Sequence, residues 1–425
     1  MPFERGPMRR ILLVWTCCAA LLPAAGAAAQ GPAVQSPRAT PKIEAKTPDT
    51  KLEAPSPEFL RFLETLWPKA QARGVSRATF DLAFQGVTPD PKVAVVGRAQ
   101  SEFAQPISAY LDGAVSGVRI RRGGELARQW AATLDAVEAF YGVPRSVVLA
   151  AWGMESNFGG YTGKTSVIRA LATLAFHRQR AGYFERELIA ALEMIEKDHI
   201  RPAEMLGSWA GAMGQTQFMP SSFLAYAADG DGDGRRDIWA SVPDVLASIA
   251  NFLKEHGWKP GLPWGFEVVL PEGFDYAVNR RGFDAWTAAG VKRMDGAEMP
   301  RAGEGLLFLP AGARGPAFLL SENFFVIKAY NTSDSYALAV GHLGDRILGG
   351  GPIRGAWPKA ETMLGLKERV EVQKRLSERG LLDGDADGRI GFKTRDAVRR
   401  FQLDRGLLPD GHADPAVLKE LRASR

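Results

Sequence analysis

The sequence predicts a mainly α-helical protein, a large helical body followed by a small C-terminal helical module. Three observations carry this. Apolar residues recur at helical spacing from Phe59-Leu60-Phe62-Leu63-Leu66 to about Ile347, the one-faced pattern of amphipathic helices. Gly349-Gly350-Gly351-Pro352, extended by Trp357-Pro358, then interrupts the pattern and predicts a hinge with a linker over 351–361. Past it, residues 362–425 hold three more helical patterns, Leu366–Arg379, Lys393–Arg405 and Pro415–Leu421. Within that unit Arg379-Gly380-Leu381-Leu382-Asp383-Gly384 is echoed by Arg405-Gly406-Leu407-Leu408-Pro409-Asp410-Gly411. The echo reads either as two helix-then-turn units sharing one core or as chance likeness of two helix ends.

With 425 residues, 46% hydrophobic and 24% charged, the chain has ample material for a sizeable core. No apolar run reaches the roughly 18–20 residues a membrane-spanning helix needs, which excludes an integral membrane protein. The formal net charge of +5 permits an anionic polymer as partner but is too weak and diffuse to argue for nucleic acid.

At the N-terminus, Arg9-Arg10 precede the apolar stretch Ile11–Leu22, and Ala27-Ala28-Ala29 offers a small-residue cleavage site. This reads as a secretory signal over 1–29 rather than a buried helix, so the protein is expected to be exported. Cys17 and Cys18 both lie inside it. Trp15-Thr16 before them argues against a lipid anchor. The mature chain would then hold no cysteine, hence no disulfide, thiol nucleophile or Cys-based metal site. Removing Arg5, Arg9, Arg10 and Glu4 leaves 50 basic against 47 acidic residues. Residues 30–57 are Pro, Ala, Thr and Lys with almost no large apolar side chain, the composition of a tether.

Gly142-Val143-Pro144 opens a helix, where proline's missing N–H costs nothing. Its apolar stripe is Val148, Ala151 and Trp152, and the next position on that stripe is Glu155, just before the stop Ser156-Asn157-Phe158-Gly159-Gly160. A carboxyl there is costly if ionised and unpaired. Desolvation is expected to push its pKa up, as a general acid working near neutral pH requires. A structural Glu paired with a buried Arg or Lys is the alternative. From Ser208 to Ala228 the chain carries no charge, and Ser208–Ser222 is small, polar and aromatic. Small residues admit a ligand close to the backbone, and Ser208 and Gln217 offer uncharged hydrogen bonds. Such a surface suits a neutral polyhydroxylated ligand, although close helix packing explains the glycines equally well. Asn323–Asn331 reads as a helix with Phe324, Ile327 and Tyr330 along one face and Asn331 as C-cap, with Tyr336 in the next helix, Ser335 to Leu348.

Together, Trp152-Gly153-Met154-Glu155-Ser156-Asn157-Phe158-Gly159, the Ser208–Ser222 run and Asn323-Phe324…Tyr330-Asn331 resemble the membrane-bound lytic transglycosylase B family of bacteria. The C-terminal unit, with Val372-Gln373-Leu376, Gly391-Phe392-Lys393-Thr394 and Phe401-Gln402, resembles the three-helix peptidoglycan-binding domain. The resemblance implies a lysozyme-like catalytic domain over 58–350, a peptidoglycan-binding domain over 362–425, and a monomer in the periplasm of a Gram-negative bacterium acting on peptidoglycan glycan strands. It implies Glu155 as the one catalytic carboxyl, acid and then base, giving 1,6-anhydro ends. It puts Ser208 and Gln217 beside Glu155, with Phe218, Tyr330 and Asn331 lining sugar subsites. Phe252 stands where relatives often carry Tyr, so a pocket hydroxyl is expected to be missing. A hydrolytic muramidase and a non-catalytic peptidoglycan-binding protein are the rival readings; the first would need a second carboxylate.

Asp229, Asp231, Asp233 and Asp237 fall on calcium-loop spacing, but position 12, where a bidentate carboxylate belongs, is Ala240. A calcium there would be structural, and no cofactor is required for the chemistry. Asp383-Gly384-Asp385-Ala386-Asp387-Gly388 repeats the pattern where the resemblance assigns a turn. The five histidines show no metal-ligand spacing, and Gly207-Ser208-Trp209-Ala210-Gly211 is not a nucleophile elbow, which needs a central Ser in G-x-S-x-G.

Overall fold

A computed structural model describes residues 55–96, 105–178, 180, 182–359 and 363–423. The predicted signal 1–29, both cysteines and the tether up to residue 54 lie outside the described residues. Those described belong to one compact unit, Leu52–Arg425. Among the described residues seventeen helices dominate, as the apolar periodicity predicts. At its centre lies helix Arg145–Ser156, in which Val147 through Gly153 are all buried. Around it pack Gly117–Gln129, Ala131–Tyr141, Val242–Glu255 and Asp334–Ile347. A helix apolar all round has to be wrapped in this way. Asp334–Ile347 comes close at Gly344, where a Cβ would lie 2.9 Å from the Ser146 carbonyl oxygen.

Seven short strands accompany the helices: β1 (Thr165–Ser166), β2 (Leu206–Gly207), β3 (Gly265–Val269), β4 (Arg280–Gly282), β5 (Lys292–Arg293), β6 (Glu304–Phe308) and β7 (Ala317–Leu320). β1 pairs with β2, and the other five form an antiparallel sheet in the order β4-β6-β7-β3-β5. This sheet was not expected from the sequence. β7 is buried at all four positions and β6 at four of five, so neither shows the alternation that marks a half-buried strand. Phe266, Val268, Phe283, Trp286, Leu307 and Leu319 give the sheet a core of its own.

The C-terminal module has three helices, Leu366–Glu378, Phe392–Asp404 and Pro415–Ala423, around Val372, Leu376, Val398, Phe401 and Leu418. Its internal echo is structural. Leu381 N–H donates to the Leu376 carbonyl and Leu407 N–H to that of Gln402, each past a left-handed glycine, Gly380 and Gly406. Gln373 accepts from Gly388 N–H and donates to Asp387, as Gln402 accepts from Gly411 N–H and donates to Asp410. Asp383–Gly388 is accordingly a turn.

The expected hinge is corrected by the structure. Gly350 N–H donates to the Asp345 carbonyl, and the Glu267 carboxylate accepts from Arg354 N–H at 2.8 Å and Gly355 N–H at 2.5 Å. The segment after the triple glycine is therefore strapped to β3. The module also docks on the body: Phe392 enters a nest of Phe308, Phe324 and Phe325. Asp410 accepts from Ala313 N–H, and Arg395 donates to the Leu309 and Pro310 carbonyls. Glycines alone do not make a hinge when side chains at both ends hold the chain down.

Candidate active site

Glu155 lies on the last turn of helix Arg145–Ser156, which ends abruptly. Asn157, Phe158 and Gly159 all take positive φ, at 51°, 58° and 79°. The reversal folds Phe158 back onto Trp152, ring centroids 5.5 Å apart and edge-on. Gly153 makes this possible, since a Cβ there would lie 2.6 Å from the Phe158 ring. Ser156 Oγ accepts from Gly159 N–H at 3.0 Å. The motif is thus a helix stop that leaves Glu155 half-buried at the rim of the core.

Tyr336, 4% exposed on helix Asp334–Ile347, donates its hydroxyl hydrogen to Glu155 Oε1 at 2.5 Å. Tyr330, the last residue of helix Glu322–Tyr330, donates to the Thr216 carbonyl at 2.7 Å. Burial, with the Glu155 charge adding to it, holds both phenols well above their ordinary pKa. Each therefore stays a proton-bearing donor across the physiological range. The sequence placed Tyr336 in the right helix, but no local signal points to Glu155, 181 residues away.

The remaining expected residues come out as follows. Ser208 begins the turn after β2, its Oγ accepting from Ala210 N–H at 3.3 Å and Ala212 N–H at 3.0 Å. Gln217, at φ 51°, donates from Nε2 to the carbonyls of Gly214 and Thr162. Both side chains therefore brace the loop itself. Phe218 is 2% exposed, packed against Phe252 and Tyr330, so its ring supports the wall from beneath. Asn331 is the C-cap of its helix, as expected, in extended backbone at φ −146°, and its Oδ1 accepts from Ser333 N–H at the start of the next helix. Phe252 stacks on His256 at 3.9 Å and meets the rings of Tyr226 and Tyr330. Within the loop, Gly214 serves close backbone contact: a Cβ on it would lie 2.7 Å from the Ile238 carbonyl oxygen.

The acidic loop differs from expectation in its ligands. Asp229, Asp231 and Asp244 converge, with one carboxylate oxygen of each within 4.8 Å of the others. Asp233 and Asp237 are not in this group. Asp233 accepts from Arg235 N–H, and Asp237 caps Trp239 and Ala240 N–H. Asp244, on the first turn of Val242–Glu255, reaches the loop from a neighbouring helix and accepts from Gly230 and Asp237 N–H. Burial raises its pKa, with the charges of Asp231 and Asp229 adding, against hydrogen bonds from Asp237 and Gly230 N–H. Three convergent carboxylates suit a hard cation such as calcium.

Comparison with known proteins bears on this arrangement. The family model described as the transglycosylase SLT domain matches residues 58–345, and a peptidoglycan-binding domain model matches 366–421. The membrane-bound lytic murein transglycosylase B of Escherichia coli K12 is 35% identical over 236 residues, covering 54% of this chain and 63% of that protein. The match thus spans under two thirds of that relative's length. SltB3 from Pseudomonas aeruginosa, solved in complex with NAG-anhNAM-pentapeptide, is 45% identical with a TM-score of 0.80, over 86% of this chain and all of that one. The Escherichia coli lytic transglycosylase Slt35, solved in complex with calcium, is 28% identical with a TM-score of 0.57, over 69% of this chain and 93% of that one. No described helix is long and apolar enough to cross a membrane. With the SLT domain match covering most of the body and the binding-domain match covering its terminal module, the chain belongs to the SLT-domain lytic transglycosylase family.

Proposed function

We propose that the protein is an exported lytic transglycosylase that cleaves the MurNAc-β-1,4-GlcNAc bond of peptidoglycan and leaves 1,6-anhydro-MurNAc ends, in cell-wall turnover. The observation that carries this reading is Glu155 itself, a carboxyl at a helix stop, gripped on one oxygen by Tyr336 and bordered by a loop without a carboxylate between Ser208 and Ala228. A two-carboxyl glycosidase needs its second acid about 5–9.5 Å away; one group acting twice does not. Glu155 gives its proton to the glycosidic oxygen as the C1–O4 bond breaks. The carboxylate then takes the proton of the muramoyl C6 hydroxyl as O6 closes on C1. The proton returns to Glu155 and no water is consumed. The buried phenol of Tyr336 donates to the carboxylate formed between the two steps, and such charge-assisted bonds are the stronger ones.

A cleft of about 640 Å³ lies between the body and the module, lined by Lys328, Ser335, Gln373, Asp387 and Thr394 among others. Asp334 and Ser335, at the start of the helix that carries Tyr336, line it. Tethering by the module raises local substrate concentration. The signal segment 1–29 directs the chain to the periplasm of a Gram-negative bacterium, without a lipid anchor, where it acts as a monomer. Calcium at Asp229, Asp231 and Asp244 would be structural, pinning the acidic loop to helix Val242–Glu255, with no part in bond cleavage.

The test is mass spectrometry of muropeptides released from purified sacculi by the native protein and by Glu155→Gln. The native protein releases products lighter by one water than hydrolytic muropeptides and lacking a reducing end, and the variant releases none. Reducing products would make the enzyme a muramidase. No release by the native protein, with sacculus binding kept, would make it a binding protein.

A further inference from the structure

Gln215 sits in the uncharged loop with 8% of its surface exposed, and its side chain is bonded at both ends. Oε1 accepts from the Trp152 indole Nε1–H at 2.9 Å, and Nε2 donates to the Trp239 carbonyl at 2.9 Å. Its own backbone N–H donates to the Ile238 carbonyl at 2.8 Å. The amide orientation follows from the partners. Turned over, it would set N–H against the indole N–H and oxygen against the Trp239 carbonyl oxygen.

These bonds join two parts of the site. Trp152, 1% exposed, lies on the helix turn that also carries Glu155. On the far side of that turn, a Cβ on Gly159 would lie 2.3 Å from Gln215 Oε1, so Gln215 touches the chain before and after the carboxyl. Ile238 and Trp239 directly follow Asp237, whose N–H donates to Asp244 Oδ2 at 2.6 Å and whose Oδ1 accepts from Trp239 N–H. An unbroken series of contacts thus runs from the acidic loop through Gln215 to the turn of Glu155.

We infer that Gln215 is a positioning residue for Glu155, fixing the catalytic turn to the acidic loop through Trp152 and Trp239. The inference rests on the reading of Glu155 as the acid and base. Gln215 touches neither substrate nor reacting atoms; it sets the angle at which the turn presents the carboxyl. An error of about 1 Å in such a placement is enough to cost about a hundredfold in rate.

The experiment compares native protein, Gln215→Leu, Gln215→Glu and Glu155→Gln on soluble glycan oligomers and on sacculi, with near-UV circular dichroism as the check on folding. Gln215→Leu is expected to lower kcat by about 10- to 100-fold with KM changed less than threefold and sacculus binding intact. Gln215→Glu supplies the conservative rescue. Ionised, it still accepts from Trp152 but repels the Trp239 carbonyl; protonated, it donates there as glutamine does. Its kcat relative to native protein should therefore climb as pH falls. This arm also decides the matter if Gln215→Leu does not fold. Native kcat in folded Gln215→Leu, a change confined to KM, or a pH-independent deficit in folded Gln215→Glu would each overturn the inference. Cleavage by Glu155→Gln would overturn the Glu155 reading first, and the positioning role with it.

Discussion

Replacing Phe392 by alanine should undock the C-terminal module from the body while leaving both folded. Phe392 is half-buried, with ring centroids 5.3, 6.0 and 5.2 Å from Phe308, Phe324 and Phe325 and the Lys328 ammonium 4.6 Å from its own. Aromatic pairs contribute about 0.5–1.5 kcal/mol each beyond area burial, and a cation over a ring about 0.5–1 kcal/mol where solvent reaches it. Partial exposure and non-additivity reduce the sum, so we expect a loss of about 2–3 kcal/mol in docking free energy, or about 30- to 150-fold in the docked population. The Arg395 and Asp410 bonds remain, but the first two are long, at 3.3 and 3.4 Å. The module keeps its own core of Val372, Leu376, Val398 and Phe401. Small-angle scattering should show a larger radius of gyration for Phe392→Ala. Calorimetry should resolve a separate module transition, and cleavage of sacculi should fall more than cleavage of soluble oligomers. An unchanged scattering curve with a single transition would refute the reasoning and put the docking energy elsewhere, in the Glu267 strap.

Two further outcomes follow from the charges. Asp345 lines a solvent-open cleft of about 470 Å³ beside Trp264 and His342, where desolvation lifts its carboxyl to about 7 against the Trp264 N–H bond and the Arg293 charge. Because the folded pKa lies above the unfolded one, its contribution to stability is lost as pH rises through the folded value. Asp345→Asn should therefore stabilise at pH 8 but not at pH 4, by about 1 kcal/mol once solvent screening at this open site is allowed for. Equal effects at both pH values would contradict this. At the acidic loop, millimolar calcium should raise the melting temperature, and Asp231→Asn should abolish that rise with little change in the calcium-free protein, because Asp231 is exposed. A calcium shift that persists in Asp231→Asn would remove this carboxylate from the site.

The sequence by itself determined the local features of this protein. The helical body, the three module helices with their repeat, and the position of Glu155 on an apolar stripe just before a stop all follow from periodicity, glycine placement and chain chemistry within some ten residues. Tertiary structure decided which distant groups meet. Tyr336 reaches Glu155 because two helices far apart in the chain pack along each other, closely at Gly344. Asp244 joins Asp229 and Asp231 because its carboxylate is bonded to Gly230 and Asp237 N–H of the loop from the next helix. Gln215 carries no local signal of its role, because its partners lie 63 residues before it and 24 after. Strands β6 and β7 of the sheet were hidden because burial on both faces erases the period of two, and the predicted hinge is closed by Phe392 and Glu267. Periodicity reports which face of an element is buried; what lies against that face depends on how all the elements pack together.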